Sequence, residues 1–244
     1  MANYSKPEAF DWAKENVRGQ WSTLMTPFTE NDEVDETGLR KNIQHIKSLG
    51  VNGVGCTWGM GEFWTLTQEE RTKIYDIVAD ESNGNMLSAA HVSHTSEKEM
   101  LKLADHAEKV GFDLLVVAAP YFVTNKEEQV VEWVNALAEH TNLAIMYYNS
   151  PQFGIVMSVD GLEKICSIPN VVGVKEASFN PELSVEAHIK IGSKAIISTP
   201  DEGIFIQGRE LGFEQQVMFA NTSDWRFDTK ENNHYVNYIN KVMD

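Results

Sequence analysis

Cysteine is scarce in this chain. Cys56 and Cys166 are the only two in 244 residues, too few for a disulfide framework and in keeping with a reducing compartment. Positive charge is scarce as well: 20 lysines and arginines stand against 36 aspartates and glutamates, for a formal net charge of -16. The acids are spread along the whole length and no basic stripe exists to neutralise phosphates, so nucleic acid is not expected as a partner. No run approaches the roughly 18 apolar residues of a membrane span, and residues 1–19 contain no apolar core of signal-peptide type. The chain is therefore expected in the cytoplasm, with no membrane partner. No Pro-, Gly- or Ser-rich linker and no low-complexity tract interrupts it, which argues for one domain.

Eight short apolar runs are present, near residues 20–25, 53–56, 86–90, 113–118, 144–147, 171–174, 195–198 and 216–220. Between them the spacing turns helical: Leu39, Ile43 and Ile46, and then Met100, Leu103, Ala104, Ala107 and Val110, follow the i, i+3, i+4, i+7 pattern of one buried face. Thr67 with Glu70, and Ser96 with Glu99, have the spacing of capping boxes, and Gly50 and Gly111 suit helix C-termini. Eight alternations of strand and helix predict an α/β fold with a parallel sheet, closed as a (β/α)8 TIM barrel rather than left as an open doubly wound sheet. The expected boundaries are an N-terminal helical extension over residues 1–18, with Phe10, Trp12 and Val17 covering the N-terminal mouth, and the barrel over 19–244. Tyr235, Tyr238, Ile239 and Val242 make the apolar stripe of its eighth helix.

A barrel of this kind carries its site on the loops at the carboxyl ends of the strands. The sixth run, VVGVKEAS from Val171 to Ser178, is apolar throughout until it reaches Lys175. Burial there disfavours the ammonium and frees a neutral amine, which can attack a ketone and form a Schiff base. The residues alone leave a second reading open, a strand-end lysine paired with Glu176 or another acid. The fifth run ends on Tyr147, Tyr148 and Asn149, so Tyr148 and Lys175 come from adjacent strands. His91 and His94 end the third run as proton-relay or metal-ligand candidates, although no third ligand accompanies them and solvated loop histidines are the plainer expectation. Cys56 is expected to be a small buried residue, since nothing near it would activate a thiolate.

Several of these pieces, in this order, resemble the family of pyruvate-dependent class I aldolases and lyases that includes dihydrodipicolinate synthase and N-acetylneuraminate lyase. The pieces are Thr26-Pro27, a glycine-rich turn ending Gly61-Glu62 and followed by Thr65-Leu66-Thr67 and Glu69-Glu70-Arg71, then Ala119-Pro120-Tyr121, Tyr148-Asn149-Ser150-Pro151, and Val174-Lys175-Glu176-Ala177-Ser178. The resemblance implies that Lys175 carries the Schiff base and Tyr148 assists proton transfer. It further implies a small-molecule substrate, pyruvate with an aldehyde, no metal and no organic cofactor, and a homo-oligomer. The chain after Lys175 is short for that family, whose usual C-terminal helical region is expected to be missing.

The departures bear on the substrate. The family's threonine pair falls here at Gly59 and Met60, the second tyrosine of its hydroxyl relay at Phe122, and the arginine that holds an aldehyde's carboxylate at Phe153. Phenylalanine cannot make the arginine's bidentate grip. Gly59 and Met60 are expected to offer backbone amides to the pyruvate carboxylate at a helix start. Trp58, Phe63, Trp64, Phe122, Phe153 and Trp225 suggest an aromatic mouth suited to an aryl or apolar aldehyde, unless the rings only pack the barrel. Gly19-Gln20-Trp21 and the N-terminal extension are similar to the hydratase-aldolase branch. The expected function is a Schiff-base carbon–carbon lyase or aldolase. The alternatives are 4-hydroxy-tetrahydrodipicolinate synthase itself and a non-catalytic, ligand-binding barrel.

Overall fold

The computed structural model describes residues 4–122, 124–220 and 228–243. Its strands are β1 Gly19–Thr23, β2 Gly53–Cys56, β3 Leu87–His91, β4 Leu114–Ala118, β5 Ala144–Asn149, β6 Val171–Glu176, β7 Ile196–Ser198 and β8 Val217–Ala220. Helix α1 (Ala9–Asn16) precedes β1. The helices α2 (Glu36–Ser48), α3 (Gln68–Ser82), α4 (Glu97–Val110), α5 (Glu127–His140), α6 (Val159–Cys166), α7 (Pro181–Ile191) and α8 (Glu202–Leu211) follow β1 to β7 in turn, and α9 (Tyr235–Met243) follows β8. Every strand pair is parallel, and β1 lies between β2 and β8, so the sheet curls round on itself. This is the (β/α)8 barrel expected from the alternation. Strands β4, β5 and β6 are buried along their whole length, because helices cover their outer face and side chains fill the inner one.

Side chains close the seam between β7 and β8. Gln215 accepts a hydrogen bond from the Thr199 amide at 2.9 Å and donates to the carbonyls of Thr199 and Val217 at 2.9 and 2.8 Å. The Phe219 amide donates to Ser198 Oγ at 3.3 Å. Inside the barrel, Trp21, Phe219 and Trp58 form a column, with ring centroids 5.4 and 5.3 Å apart. The glycines of β2 make room for it. A Cβ on Gly53 would stand 2.3 Å from the Trp21 ring, and one on Gly55 would stand 2.6 Å from Trp58, closer than any packed core allows.

The segment before β1 lies over the amino ends of the strands. Tyr4 Oη donates to the Asp113 carbonyl and accepts from the Ala144 amide, both at 2.7 Å, at the starts of β4 and β5. Gln216, just before β8, donates to the Val17 carbonyl at 2.8 Å.

Two local expectations need correction. Thr67 and Glu70 form the capping box of α3, but Ser96 and Glu99 form none. The Ser96 amide is taken by His94 Nδ1 at 2.9 Å, and Glu99 turns to Lys102 at 2.8 Å. On α9 the buried side chains are Val236, Ile239 and Met243, while Tyr238 is half exposed. The side chain of Val242 and all of Trp225 lie outside the described residues. Among the described residues, no helix is long and apolar enough to cross a membrane.

Candidate active site

Strand β6 delivers Lys175 to the carboxyl end of the barrel in register with Tyr148 of β5. Successive strand residues point to opposite faces, so Lys175 and Glu176 part company. Glu176 is fully buried, and its carboxylate accepts from Asn149 Nδ2 at 3.3 Å, from the Ser178 amide at 2.9 Å and from Ser184 Oγ. It serves to join β5, β6 and α7, and the pairing of Glu176 with Lys175 is not formed. Lys175 Nζ instead lies over the Tyr148 ring, 4.2 Å from its centroid, and 4.8 Å from that of Trp58. Burial pushes its pKa down to about 7. Burial also pushes the Tyr148 phenol up to about 12, so it holds its proton at neutral pH and can donate it.

Around this pair stand aromatic rings. Phe153 is buried with its centroid 5.1 Å from Tyr148 and 6.1 Å from Phe63. Ser150 N-caps a one-turn 3-10 helix, Pro151–Phe153, that carries the Phe153 ring inward. Phe63 also meets Tyr121 at 5.8 Å. Two expected members of the mouth are largely exposed. Trp64 is 59% exposed and meets only the edge of the cluster, its centroid 5.4 Å from that of Phe63; Phe122, with a backbone φ of +81°, is 91% exposed and packs beside Tyr121. Within this chain Phe122 is thus not among the rings around Lys175 and Tyr148. Trp58, Phe63 and Phe153 are the rings brought together. Trp21 sits lower in the barrel and belongs to the core.

The turn after β2 is held by Thr26 Oγ1, which donates to the Gly61 carbonyl at 2.8 Å. Gly59 and Met60 lie not at the start of an α-helix but in a single 3-10 turn, Gly59–Gly61, with α3 beginning only at Gln68. Gly59 faces the site: a Cβ there would stand 3.3 Å from Gln152 Oε1 and 4.0 Å from Tyr148 Oη. Glycine at this position leaves space above the tyrosine hydroxyl, where a side chain would intrude. Met60 is 39% exposed.

His91 departs most from expectation. It is no solvated loop residue but the last, fully buried position of β3. Its ring stands edge-to-face against Phe63 at 4.6 Å and lies 6.1 Å from Phe153 and 6.4 Å from Tyr148. Nδ1 meets the Thr57 carbonyl at 2.9 Å. Burial, then the Arg71 and Lys175 charges, hold its pKa well below the ordinary histidine value. Arg71 and Tyr75, both buried on α3, clamp the backbone here: each donates to the His91 carbonyl, and Arg71 also donates to that of Ser93 at 2.9 Å. His94 is turned toward α4, and among the described residues no metal-ligand cluster forms. Cys56 is buried beside the Ala89 carbonyl, and burial pushes its thiol up, as suits a packing residue.

The family assignment follows from sequence and fold together. The model of the Dihydrodipicolinate synthetase family matches residues 16–223. The chain belongs to that family. A 4-hydroxy-tetrahydrodipicolinate synthase of Methanothermobacter thermautotrophicus is 34% identical over 163 residues, which are 66% of this chain and 58% of that enzyme. The chain thus spans little more than half the length of this curated relative. A crystal structure of dihydrodipicolinate synthase superposes with a TM-score of 0.81 at 25% identity, over 93% of this chain and 76% of that one. The chloride-inhibited dihydrodipicolinate synthase from Acinetobacter baumannii, solved with pyruvate, shares the fold at a TM-score of 0.79 and 22% identity, over 92% of this chain and 80% of its own.

Proposed function

We propose that this protein is a class I carbon–carbon lyase or aldolase that binds pyruvate, or a pyruvoyl-containing substrate, as a Schiff base on Lys175. The observation that carries the reading is a fully buried strand-end lysine with a pKa pushed down to about 7, stacked over the ring of Tyr148. At neutral pH a good part of it is unprotonated amine, the form that attacks a ketone. Attack gives a carbinolamine, loss of water gives an iminium, and the iminium absorbs the electron pair released when the bond to the adjacent carbon breaks. Tyr148 passes protons during these steps, a role supported by its protonated state and its ring beneath Nζ. The amides of Gly59 and Met60 are assigned to the pyruvate carboxylate, a role that needs no side-chain hydroxyl. The solved complex of a family member with pyruvate supports the choice of 2-oxo acid.

For the second substrate we favour an aromatic or apolar aldehyde, because Phe153 stands buried beside Phe63 and Tyr148 where a carboxylate-binding arginine would otherwise reach. The name of the archaeal relative favours a second reading, 4-hydroxy-tetrahydrodipicolinate synthase acting on pyruvate and aspartate semialdehyde.

Borohydride reduction in the presence of pyruvate tests the chemistry. One covalent adduct is expected, mapped to Lys175 and absent from Lys175→Ala. A folded wild-type protein that stays unmodified, or an adduct that survives in Lys175→Ala, would end the Schiff-base reading.

A further inference from the structure

We propose that His91 is a further catalytic residue, whose Nε2 takes the hydroxyl proton of the aldol adduct as the carbon–carbon bond breaks and returns it in the direction of synthesis. The proposal rests on the Schiff-base reading of Lys175. Its own support is geometric. The Thr57 carbonyl can only accept, so Nδ1 carries the ring proton of the neutral imidazole and Nε2 is left as a bare acceptor. Among the described residues that buried atom has no hydrogen-bond partner. A buried acceptor held this way, beside the rings that surround Lys175, is suited to take a donor from a bound molecule. The ring borders Phe63, Phe153 and Tyr148, and Tyr148 in turn carries Lys175 Nζ over its face. The orientation is fixed from behind, since Thr57 Oγ1, Arg71 and Tyr75 all donate to the His91 carbonyl.

The charge balance favours this assignment. In the adduct the positive charge sits on the iminium nitrogen of Lys175. As the bond breaks, its electron pair forms the enamine double bond, and the iminium pair returns to nitrogen. The hydroxyl proton passes to Nε2, and the O–H electron pair completes the aldehyde carbonyl. One positive charge has moved from Lys175 to His91, so the iminium charge, which adds to burial and Arg71 in disfavouring an imidazolium, is discharged in the same step. Arg71 remains and drives the proton off again, which makes His91 a carrier rather than a resting place.

The test separates this role from that of Lys175. His91→Asn keeps an N–H toward the Thr57 carbonyl but has nothing at the Nε2 position. It should still be trapped by pyruvate and borohydride on Lys175 within about threefold of wild type. Cleavage of the aldol adduct of pyruvate, with whichever of benzaldehyde and aspartate semialdehyde the wild type accepts, should fall roughly 10²- to 10⁴-fold. Cleavage at the wild-type rate overturns the proposal, and so does loss of trapping in a folded variant, which would make His91 a support for Lys175. A wild-type measurement serves even where the variant does not fold. In 15N-histidine-labelled protein reduced onto 4-hydroxy-2-oxo-4-phenylbutanoate, the His91 Nε2 resonance should carry a hydrogen-bond shift that is missing from the 2-oxo-4-phenylbutanoate adduct. The same resonance in both adducts overturns the proposal. If the wild type cannot be trapped by pyruvate at all, the Schiff-base reading has failed and this one with it.

Discussion

Lys175 and Glu176 are neighbours on one strand with opposite environments. Glu176 is met by three neutral donors, which suit a carboxylate, whereas Lys175 is pressed against the faces of two aromatic rings. The lysine's environment has consequences that can be measured in two ways. The rate of pyruvate trapping should rise with pH through an apparent pKa near 7, not near the ordinary 10.5; a rise deferred to pH 10 would show that the amine is not desolvated. Stability should follow the same group. Between about 7 and 10.5 the unfolded chain holds a proton on this lysine that the folded chain has released, so stability rises with pH across that window and is lost as pH falls through it. Lys175→Met removes the buried amine and should raise Tm by several degrees at pH 6, with the gain shrinking toward pH 10. Of the residues around the site, Lys175 and Tyr148 are legible in sequence because each closes a strand-like apolar run. His91 also closes one, Ser88-Ala89-Ala90-His91. Its burial was not legible, because the residues that seal it come from α3 and from the loops after β2 and β5, far away along the chain.

At the scale of single elements the strand positions follow the apolar runs closely, since a strand covered on both faces has nowhere to place polar side chains. Helix starts depend on finer competition. Thr67 and Glu70 cap α3 as their spacing predicts, while the same spacing at Ser96 and Glu99 is overridden by His94, two residues upstream, whose ring nitrogen reaches the Ser96 amide first. The β7–β8 seam has no sequence signature, because a glutamine just outside a strand reads as ordinary loop. Its contribution can be sized. Gln215→Ala would strip the buried Thr199 amide and the Thr199 and Val217 carbonyls of their side-chain partner. Leaving such groups unsatisfied costs about 1–3 kcal/mol, which for a domain of this size lowers Tm by roughly 3–10 °C. Thermal unfolding of the variant checks this, and an unchanged Tm would show that the seam is held by packing alone.

At the scale of the whole molecule, two features bear on the second substrate of the proposed reaction and point the same way. Phe153 is only 3% exposed and lies among Phe63, Tyr148 and His91, so the proposed acceptor would meet an apolar surface. Gly59 puts no side chain toward the Tyr148 hydroxyl, which a Cβ there would approach to 4.0 Å. An aryl aldehyde gains apolar burial worth about 25 cal/mol per Å² here, whereas aspartate semialdehyde would have to leave water without the arginine fork that would replace its hydration. Specificity constants for condensation with pyruvate should therefore favour benzaldehyde-type acceptors over aspartate semialdehyde. Phe153→Arg should narrow or reverse that ratio, because it would put a bidentate donor beside Tyr148 and remove the ring proposed to pack against the aryl group. A clear wild-type preference for aspartate semialdehyde would place its carboxylate on some other group and discard the aromatic pocket, while leaving the lysine chemistry intact.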